Sequence, residues 1–403
     1  MKKLKLHWQI LIALSLAIVF ALFFPKYVPY VSWMGDLFIR ALKMVIIPLI
    51  LSSIISGITN IGSAENLGRI GLKTLLYYVL TSTLAIITGL LFVNIIKPGV
   101  GADLGLSQTV EGIGATRDSF GTTMMNIVPT NIFAAIVENK MLSIIFFAIL
   151  FGFFITKTKD KHRLFLTDLF NSVFDVMMKI TMFVIKFTPL GIFGIIAKVV
   201  SEHNNLAELG ARMGIYMATV FVALFVHSFL TLPFLLKTIG KVKPAKHFNA
   251  VKTALLTAFS TSSSSATLPL TMTAVEDNSG VSNKITSFTL PLGATVNMDG
   301  TALYELVAAM FIAQAYGIDL SITAQIIAVF TALLASIGAA GIPMAGLVMI
   351  TIVLSAIGLP LEGVGLILAV DRILDMFRTA VNVWSDSCGA VIIAKSEGEK
   401  LKV

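Results

Sequence analysis

Phe248-Asn-Ala-Val-Lys-Thr-Ala-Leu-Leu-Thr-Ala-Phe259, then Ser260-Thr-Ser-Ser-Ser-Ser265, then Leu268-Pro-Leu-Thr-Met-Thr-Ala-Val275, form two apolar arms around a polar turn. The first arm has 12 residues, about 18 Å at the helical rise, against a bilayer core of about 30 Å. It is too short to cross, and the return arm leads to Glu276, Asp277 and Lys284. The chain is therefore expected to dip into a membrane and come back. A second hairpin runs from Ile322 to Ala335, turns over Ser336–Met344 through Gly338, Gly341 and Pro343, and returns along Leu347–Ile357. Gly and Pro mark backbone that leaves a helix. Unwound backbone at membrane depth is tolerated only where protein covers it or it lines a wet cavity.

The membrane setting follows from composition. Of 403 residues, 56% are hydrophobic and 13% charged, and the mean hydropathy is +0.90. A soluble chain needs about a quarter of its residues charged. Working back toward the N-terminus, apolar runs at Trp8–Phe24, Leu37–Ile58, Leu72–Ile96, Ile127–Ile155, Leu169–Val200 and Met213–Leu236 read as six spans. The first is too long and uninterrupted for a signal peptide.

The net charge of +8 orients the protein rather than binding nucleic acid. Lys2, Lys3, Lys5, Arg69, Lys73, Lys157–Arg163, Lys237–Lys252, Lys395, Lys400 and Lys402 fall on one side of this count. The opposite segments, Lys97–Arg117, Lys198–Arg212 and Ala315–Ile322, are poorer in Lys and Arg or balanced by acids. The positive-inside rule then places both termini in the cytoplasm. Cys388 stands alone, so no intrachain disulfide can form, and no N-x-S/T acceptor occurs. Compact loops fit a bacterial inner membrane.

Each hairpin precedes a long helix with polar residues in its interior, and the charge count gives the two hairpin–helix units opposite topology. Inverted repeats with broken helices meeting near the midplane point to a secondary transporter. In the last span Asp371, Asp375, Arg378, Thr379, Asn382 and Asp386 fall at about −40°, 0°, −60°, +40°, −20° and +20° around a helix. They share one face roughly 100° wide. A structural salt-bridge stripe is the competing reading, but ionisable groups cost about 2.5 to 3.5 kcal/mol each in a bilayer and mark pathways or sites. Arg378 suits a carboxylate, because guanidinium is always charged and matches it bidentately. Asp375, one turn away, could take an ammonium. Together they describe a zwitterion with an extra carboxylate.

Asn297-Met-Asp-Gly-Thr301 interrupts the helix before the second hairpin. Asn and Asp supply hard oxygens, and Gly lets the chain open so that carbonyls become ligands, as Na⁺ or another hard cation requires. A buried turn is the alternative. Tyr78, Thr81 and Ser82 in the third span add oxygens that by themselves would be ordinary packing polars. The serine run lacks a Gly-x-Ser-x-Gly elbow, and no histidine falls in the hairpin turns or the last two spans, so hydrolase chemistry is set aside. Ser hydroxyls and half-helix amides read better as carboxylate donors. His7, His162, His203, His227 and His247 have no ligand spacing. His227, inside the sixth span, reads as a packing or hydrogen-bonding residue.

Thr261-Ser-Ser-Ser-Ser-Ala-Thr-Leu-Pro269, Asn297-Met-Asp-Gly-Thr301, Ala335-Ser-Ile-Gly-Ala-Ala-Gly-Ile-Pro343 and Asp375-x-x-Arg-Thr-x-x-Asn382 resemble the glutamate transporter family of dicarboxylate and amino acid:cation symporters. The resemblance covers essentially the whole chain. It implies an all-α integral membrane fold of eight transmembrane helices and two re-entrant hairpins, in a homotrimer. Residues 1–70 and 125–205 would form a trimerising scaffold (spans one, two, four and five). Residues 71–100, 210–245 and 246–403 would form a transport domain moving like an elevator, with the hairpin Ile322–Ile357 as outer gate.

Carried over by motif, substrate would meet Ser262, Ser263, Ser264, Thr301, Ile342, Pro343, Ala345, Gly346, Asp375, Arg378, Thr379 and Asn382. One sodium site would draw on Gly293, Asn297, Asn382 and Asp386, and another on Tyr78, Thr81, Ser82, Asn297 and Asp299. A third would use backbone at Thr295, Ser336, Ile337 and Ala339. Family members lacking the aspartate tend to carry dicarboxylates, and those lacking the arginine neutral amino acids; both are present here.

Glu305 after Tyr304 resembles the animal members, where a glutamate there carries a coupled proton, and is expected to do so here. Relatives also place a second arginine at the position of Ser262 or of Met376. Here Arg372 appears instead, at about +60° on the same helix and one turn before Asp375. It is expected to replace that arginine in part; a lipid-headgroup or scaffold contact is the alternative. The reading is a Na⁺-coupled symporter of glutamate or aspartate without organic cofactor, not an enzyme. Its rivals are a cation-coupled carrier of another amino acid or dicarboxylate, and a channel or receptor.

Overall fold

A computed structural model describes residues 6–62, 68–101, 125, 127–202, 206–337 and 345–403, and every element among them is helical. Helices α1 (Leu6–Phe23), α2 (Pro29–Gly62) and α3 (Gly68–Ile96) occupy the first three expected spans.

Of the next three expected spans two are broken and the third carries a π turn. The fourth is a short α4 (Ile132–Val137) and α5 (Met141–Thr156), parted at Asn139, whose φ of 55° a helix cannot accommodate. The fifth is α6 (Asp160–Ile185) and α7 (Thr188–Glu202), bent by 50°. Pro189 accounts for the bend: it has no N–H, and its ring would strike the carbonyl of Ile185. The sixth is α8 (Leu206–Val226), a π turn over His227–Thr231, and α9 (Leu232–Thr238). Pro233 imposes that widening on the preceding turn for the same reason. Among the described residues three helical stretches, Pro29–Thr59, Arg69–Ile96 and Gly210–Thr238, are long and apolar enough to cross a bilayer, and the bent α6–α7 pair would make a fourth. The sequence misleads here because hydropathy is blind to breaks that a proline or one left-handed residue makes inside an apolar run.

Two helix pairs stand where the hairpins were expected, but the first arm is an 18-residue helix rather than the 12 residues Phe248–Phe259, because the helix takes in the polar residues before and after the apolar run. Helix α10 (Pro244–Thr261) ends at Ser262, whose φ of 52° reverses the chain. Ser263 caps α11 (Ser264–Thr273), its Oγ accepting from the Ala266 amide at 3.1 Å. After a π turn over Ala274–Ser279 come α12 (Asn283–Val296) and α13 (Asp299–Ala315), separated at Asn297–Met298 as expected. The second hairpin's arms are α14 (Ile322–Ile337) and α15 (Ala345–Ala356). Its turn, with Ala339, Ile342 and Pro343, lies outside the described residues. The chain closes with α16 (Val364–Ser396).

Helix α2 packs along α5, α6 and α7, and α1 along α7. Close approach there depends on small residues: a Cβ on Gly194 would lie 2.6 Å from the Gly35 nitrogen, and one on Gly191 2.4 Å from Phe38. Around α16 pack α10, α12 and α13, while α3, α14 and α15 lie against α13. Side chains from Asp299 to Ala313 are all buried, so α13 is the centre of this half. The end of α16 is tied down: Glu397 pairs with Arg69 and Lys73 of α3, Glu399 accepts from the Ser282 amide at 2.9 Å, and the Lys402 amide donates to Ser279 at 3.0 Å. Lys73 and Arg69 hold the Glu397 carboxyl below the usual carboxylate range.

Candidate functional site

Arg378 is 1% exposed. A guanidinium at that depth must be met by charge and polarisable surface, and α16 supplies both. Nη2 donates to Asp375 Oδ1 at 2.8 Å and lies 3.0 Å from Asp371 Oδ1. The guanidinium carbon sits 3.7 Å from the Tyr304 ring centroid, a cation–π contact, and the Tyr304 hydroxyl donates to Asp371 Oδ1 at 2.6 Å. Nε and Nη1 find no hydrogen-bond acceptor among the described residues. Nε–H and the Nη1 N–H groups point to different sides of the planar guanidinium, so N–H donors remain for a carboxylate beyond the two aspartates.

Two glycines permit this packing. A Cβ on Gly346 would lie 2.7 Å from Arg378 Nη1, and one on Gly300 2.7 Å from the Arg378 carbonyl. The return arm of the second hairpin therefore rests directly on the guanidinium. Arg372 reaches Asp375 from the other side, Nη1 to Oδ2 at 3.6 Å, an ion pair too long for a hydrogen bond. Arg372 is 22% exposed at its side chain. The four charges, two arginines and two aspartates, sum to zero.

Asn382 joins this group to the break between α12 and α13: its Oδ1 accepts from the Gly300 amide at 2.7 Å, and its Nδ2 donates to Thr301 Oγ1 at 3.1 Å. Thr379 turns its hydroxyl to the Asp375 carbonyl at 2.8 Å. Ser262 and Ser264 are buried at the first hairpin's turn, whose arms pack on α16.

A second cluster gathers hydroxyl, amide and carboxylate oxygens. Ser82 Oγ donates to Asp299 Oδ1 at 2.7 Å, and Thr81 Oγ1 lies 3.3 Å from Asn297 Oδ1. Asn297 Nδ2 donates to Asp386 Oδ1 at 2.9 Å, and the Tyr78 hydroxyl to the Thr289 carbonyl at 2.7 Å. A Cβ on Gly293 would lie 2.5 Å from Asp386 Oδ1 and 2.7 Å from the Tyr78 oxygen, so only glycine lets the backbone come this near. Small hard oxygens on three helices and an opened backbone suit an alkali cation, not a thiolate- or imidazole-seeking metal. Tyr78, Thr81, Ser82, Gly293, Asn297, Asp299 and Asp386 thus converge. The hydroxyls of Thr295 and Ser336 bond within their own helices, to the Leu292 and Leu333 carbonyls. The groups expected of those residues, and of Ile337, are backbone.

The sodium:dicarboxylate symporter family model matches residues 6–396. The chain belongs to that family. It is 36% identical to the proton/sodium-glutamate symport protein of Geobacillus stearothermophilus, over 99% of this chain and 96% of the relative. It is 36% identical to the proton/glutamate-aspartate symporter of Escherichia coli K12, over 98% and 93%. With mouse excitatory amino acid transporter 3 it shares 39%, over 93% of this chain and 80% of the relative. The family is one of membrane symporters, not enzymes.

Two residues, Ser385 and Tyr77, escaped the sequence reading, as did the partner of His227. Ser385 Oγ donates to Asp299 Oδ2 at 2.6 Å and accepts from Asn297 Nδ2 at 3.0 Å; the Tyr77 hydroxyl donates to the Ser385 carbonyl at 3.2 Å. His227 Nε2 lies 3.1 Å from Asp299 Oδ2, so the hydrogen-bonding role was legible but its partner was not. The signal was present at about −80° on α16 for Ser385, just outside the polar stripe.

Gly293→Ala is expected to raise, by about tenfold or more, the NaCl concentration that protects the purified protein against thermal unfolding, with KCl at matched ionic strength as reference. Unchanged protection would mean that the approach of Gly293 to Asp386 and Tyr78 does not serve a cation.

Proposed function

We propose that this protein carries glutamate or aspartate across the membrane with Na⁺. The observation that carries the reading is the buried Arg378, whose Nη2 is held by Asp371 and Asp375 while Nε and Nη1 have no acceptor among the described residues. A side-chain carboxylate would take one of those remaining donors. Asp375 would receive the ammonium, and Asn382 and Thr301, with the serines of the first hairpin, the α-carboxylate. Residues of the second hairpin, Ile342, Pro343, Ala345 and Gly346, would close over it. The converging oxygens at Tyr78, Thr81, Ser82, Asn297, Asp299 and Asp386 support coupled Na⁺, with a further site on backbone at Thr295, Ser336, Ile337 and Ala339.

The same reading takes the protein as an inner-membrane homotrimer of eight spans and two re-entrant hairpins, both termini cytoplasmic. The packing of α2 with α5, α6 and α7 supports a scaffold, and the nest of helices around α13 and α16 supports a separate, elevator-like transport domain.

Reconstituted vesicles should accumulate labelled aspartate under an inward Na⁺ gradient and lose at least about a hundredfold of that uptake in Arg378→Ala, as removal of a buried charged partner costs about 3 to 5 kcal/mol. Uptake indifferent to the gradient would favour a channel or receptor.

Protons enter through Glu305. It is fully buried in α13 with no hydrogen-bond partner for either oxygen among the described residues, and an unpaired carboxylate is costly to keep there ionised. The protonated side chain is the form that fits. Glu305→Gln mimics it, and should flatten the pH dependence of uptake while leaving Na⁺ dependence in place; an unaltered pH profile would rule Glu305 out.

Arg372 is assigned to steady Asp375. Without it the charges around Arg378 sum to −1, a field that opposes an anionic substrate. Arg372→Ala should weaken aspartate affinity about threefold to tenfold, the modest size set by partial exposure, and Arg372→Lys should restore part of it. Unchanged affinity in the alanine variant would sink the assignment.

A further inference from the structure

The face of α16 opposite the polar stripe also borders a cavity. Phe377, Ala380, Val381 and Trp384 fall at about 200°, 140°, 240° and 180° from Asp375 around the helix, and they line a space of 570 Å³ closed by α8 and α10. That volume lies in the range of about 300 to 1,000 Å³ typical of ligand pockets. Its wall is aromatic and aliphatic, and the side chains at its mouth stay uncovered by protein, Phe225 at 60% and Leu256 at 66% exposure. In a chain embedded in lipid, such a mouth opens to acyl chains.

The polar groups of the wall say what kind of molecule fits. Trp384 commits its N–H to the Ser228 carbonyl at 3.0 Å. Ser228 itself keeps a buried hydroxyl with no hydrogen-bond partner among the described residues, at the π turn that widens the helix. Lys252 is exposed, and among the described residues no carboxylate pairs with it. It stands two turns into α10, at the end of a run that includes Lys237, Lys241, Lys243 and Lys246. An unpaired lysine on the rim of an apolar slot between membrane helices, the one charged residue of the lining among the described residues, suits an anionic headgroup whose chain lies in the slot.

We propose that this cavity holds an acyl chain of an anionic phospholipid whose phosphate meets Lys252. The occupant would press on the back of the helix that carries Asp375 and Arg378. It would also sit against the π turn that brings His227 to Asp299.

The chain has three tryptophans, so Trp8→Phe with Trp33→Phe leaves Trp384, in the cavity wall, as the sole indole. The full-length double variant, in phosphatidylcholine vesicles, is titrated with phosphatidylglycerol brominated on its acyl chain, and with brominated phosphatidylcholine in parallel. Half-maximal quenching of Trp384 is expected at about a fivefold lower mole fraction of the anionic lipid, the preference one lysine confers near a membrane surface. Lys252→Gln should bring the two curves together, and Ala380→Leu, which fills the slot, should lower the maximal quench for both lipids. Na⁺-driven aspartate uptake by the Lys252→Gln protein checks that it is folded. Coincident curves in the double variant, or a preference that survives Lys252→Gln, would overturn the proposal. Brominated oleate quenching at a lower mole fraction than phosphatidylglycerol would overturn the assignment to a phospholipid.

Discussion

A guanidinium that cannot give up its charge sits 1% exposed in a helix surrounded by apolar chain, and much of the neighbouring architecture answers that fact. Arginine inside a membrane is tolerable only with counter-charge, hydrogen-bond acceptors or aromatic faces at contact. Asp371 and Asp375 flank it on its own helix at spacings of a turn or two, and Tyr304 brings a ring face and a hydroxyl from α13. For Tyr304 to reach, α13 must lie against α16, and Gly300 is the residue that lets it come within contact of the Arg378 backbone. For the second hairpin's return arm to lie against the guanidinium, its first turn must carry a residue lacking a Cβ, which is Gly346. A larger side chain at either place would open the cavity around the charge.

The two polar clusters are one structure because they share a break. Helices α12 and α13 part at Asn297–Met298, and the exposed ends are bound by opposite neighbours. Asn297 faces Asp386 and Ser385, while the Gly300 amide and Thr301 face Asn382, one turn earlier on α16. Drawing Asn297 and Asp386 onto a cation would therefore pull on the same short segment that positions Asn382 and Thr301. Coupling between a cation and a substrate held at these two clusters would need no long path, only three residues of chain.

What could be read in advance follows the kind of physics involved. The polar stripe of α16 and the Asn297–Thr301 break were legible, because each violates the apolar rule of a membrane and so stands out from its background. Breaks within apolar runs were not: Asn139, Pro189 and Pro233 reshape three spans without changing hydropathy. Nor were partners from distant helices. Ser385 and His227 look unremarkable in the sequence, since a serine on a helix flank and a lone histidine gain meaning only from Asp299 between them. Arg372 stood out by position, but only the fold shows it reaching the second oxygen of Asp375.

Charge arithmetic explains why a carrier built this way would need a cation at all. Around Arg378 the two arginines and two aspartates cancel, and a glutamate or aspartate entering that group brings a net charge of −1 into a medium where unbalanced charge is severely penalised. With Asp299 and Asp386 of the neighbouring cluster ionised, the charges on the two sides of the shared break would then sum to −3, and cations bound in that cluster would offset them within the same buried volume. A proton on Glu305 would remove one further negative charge next to Tyr304. The charges would thus approach balance only if the anion arrived with several cations, and a neutral, closed assembly is the one that can be moved through lipid at low cost. Loading substrate without cations, or leaving with only part of the cargo, would strand charge in the bilayer, and that penalty is what would tie the flux of the amino acid to the ion gradient.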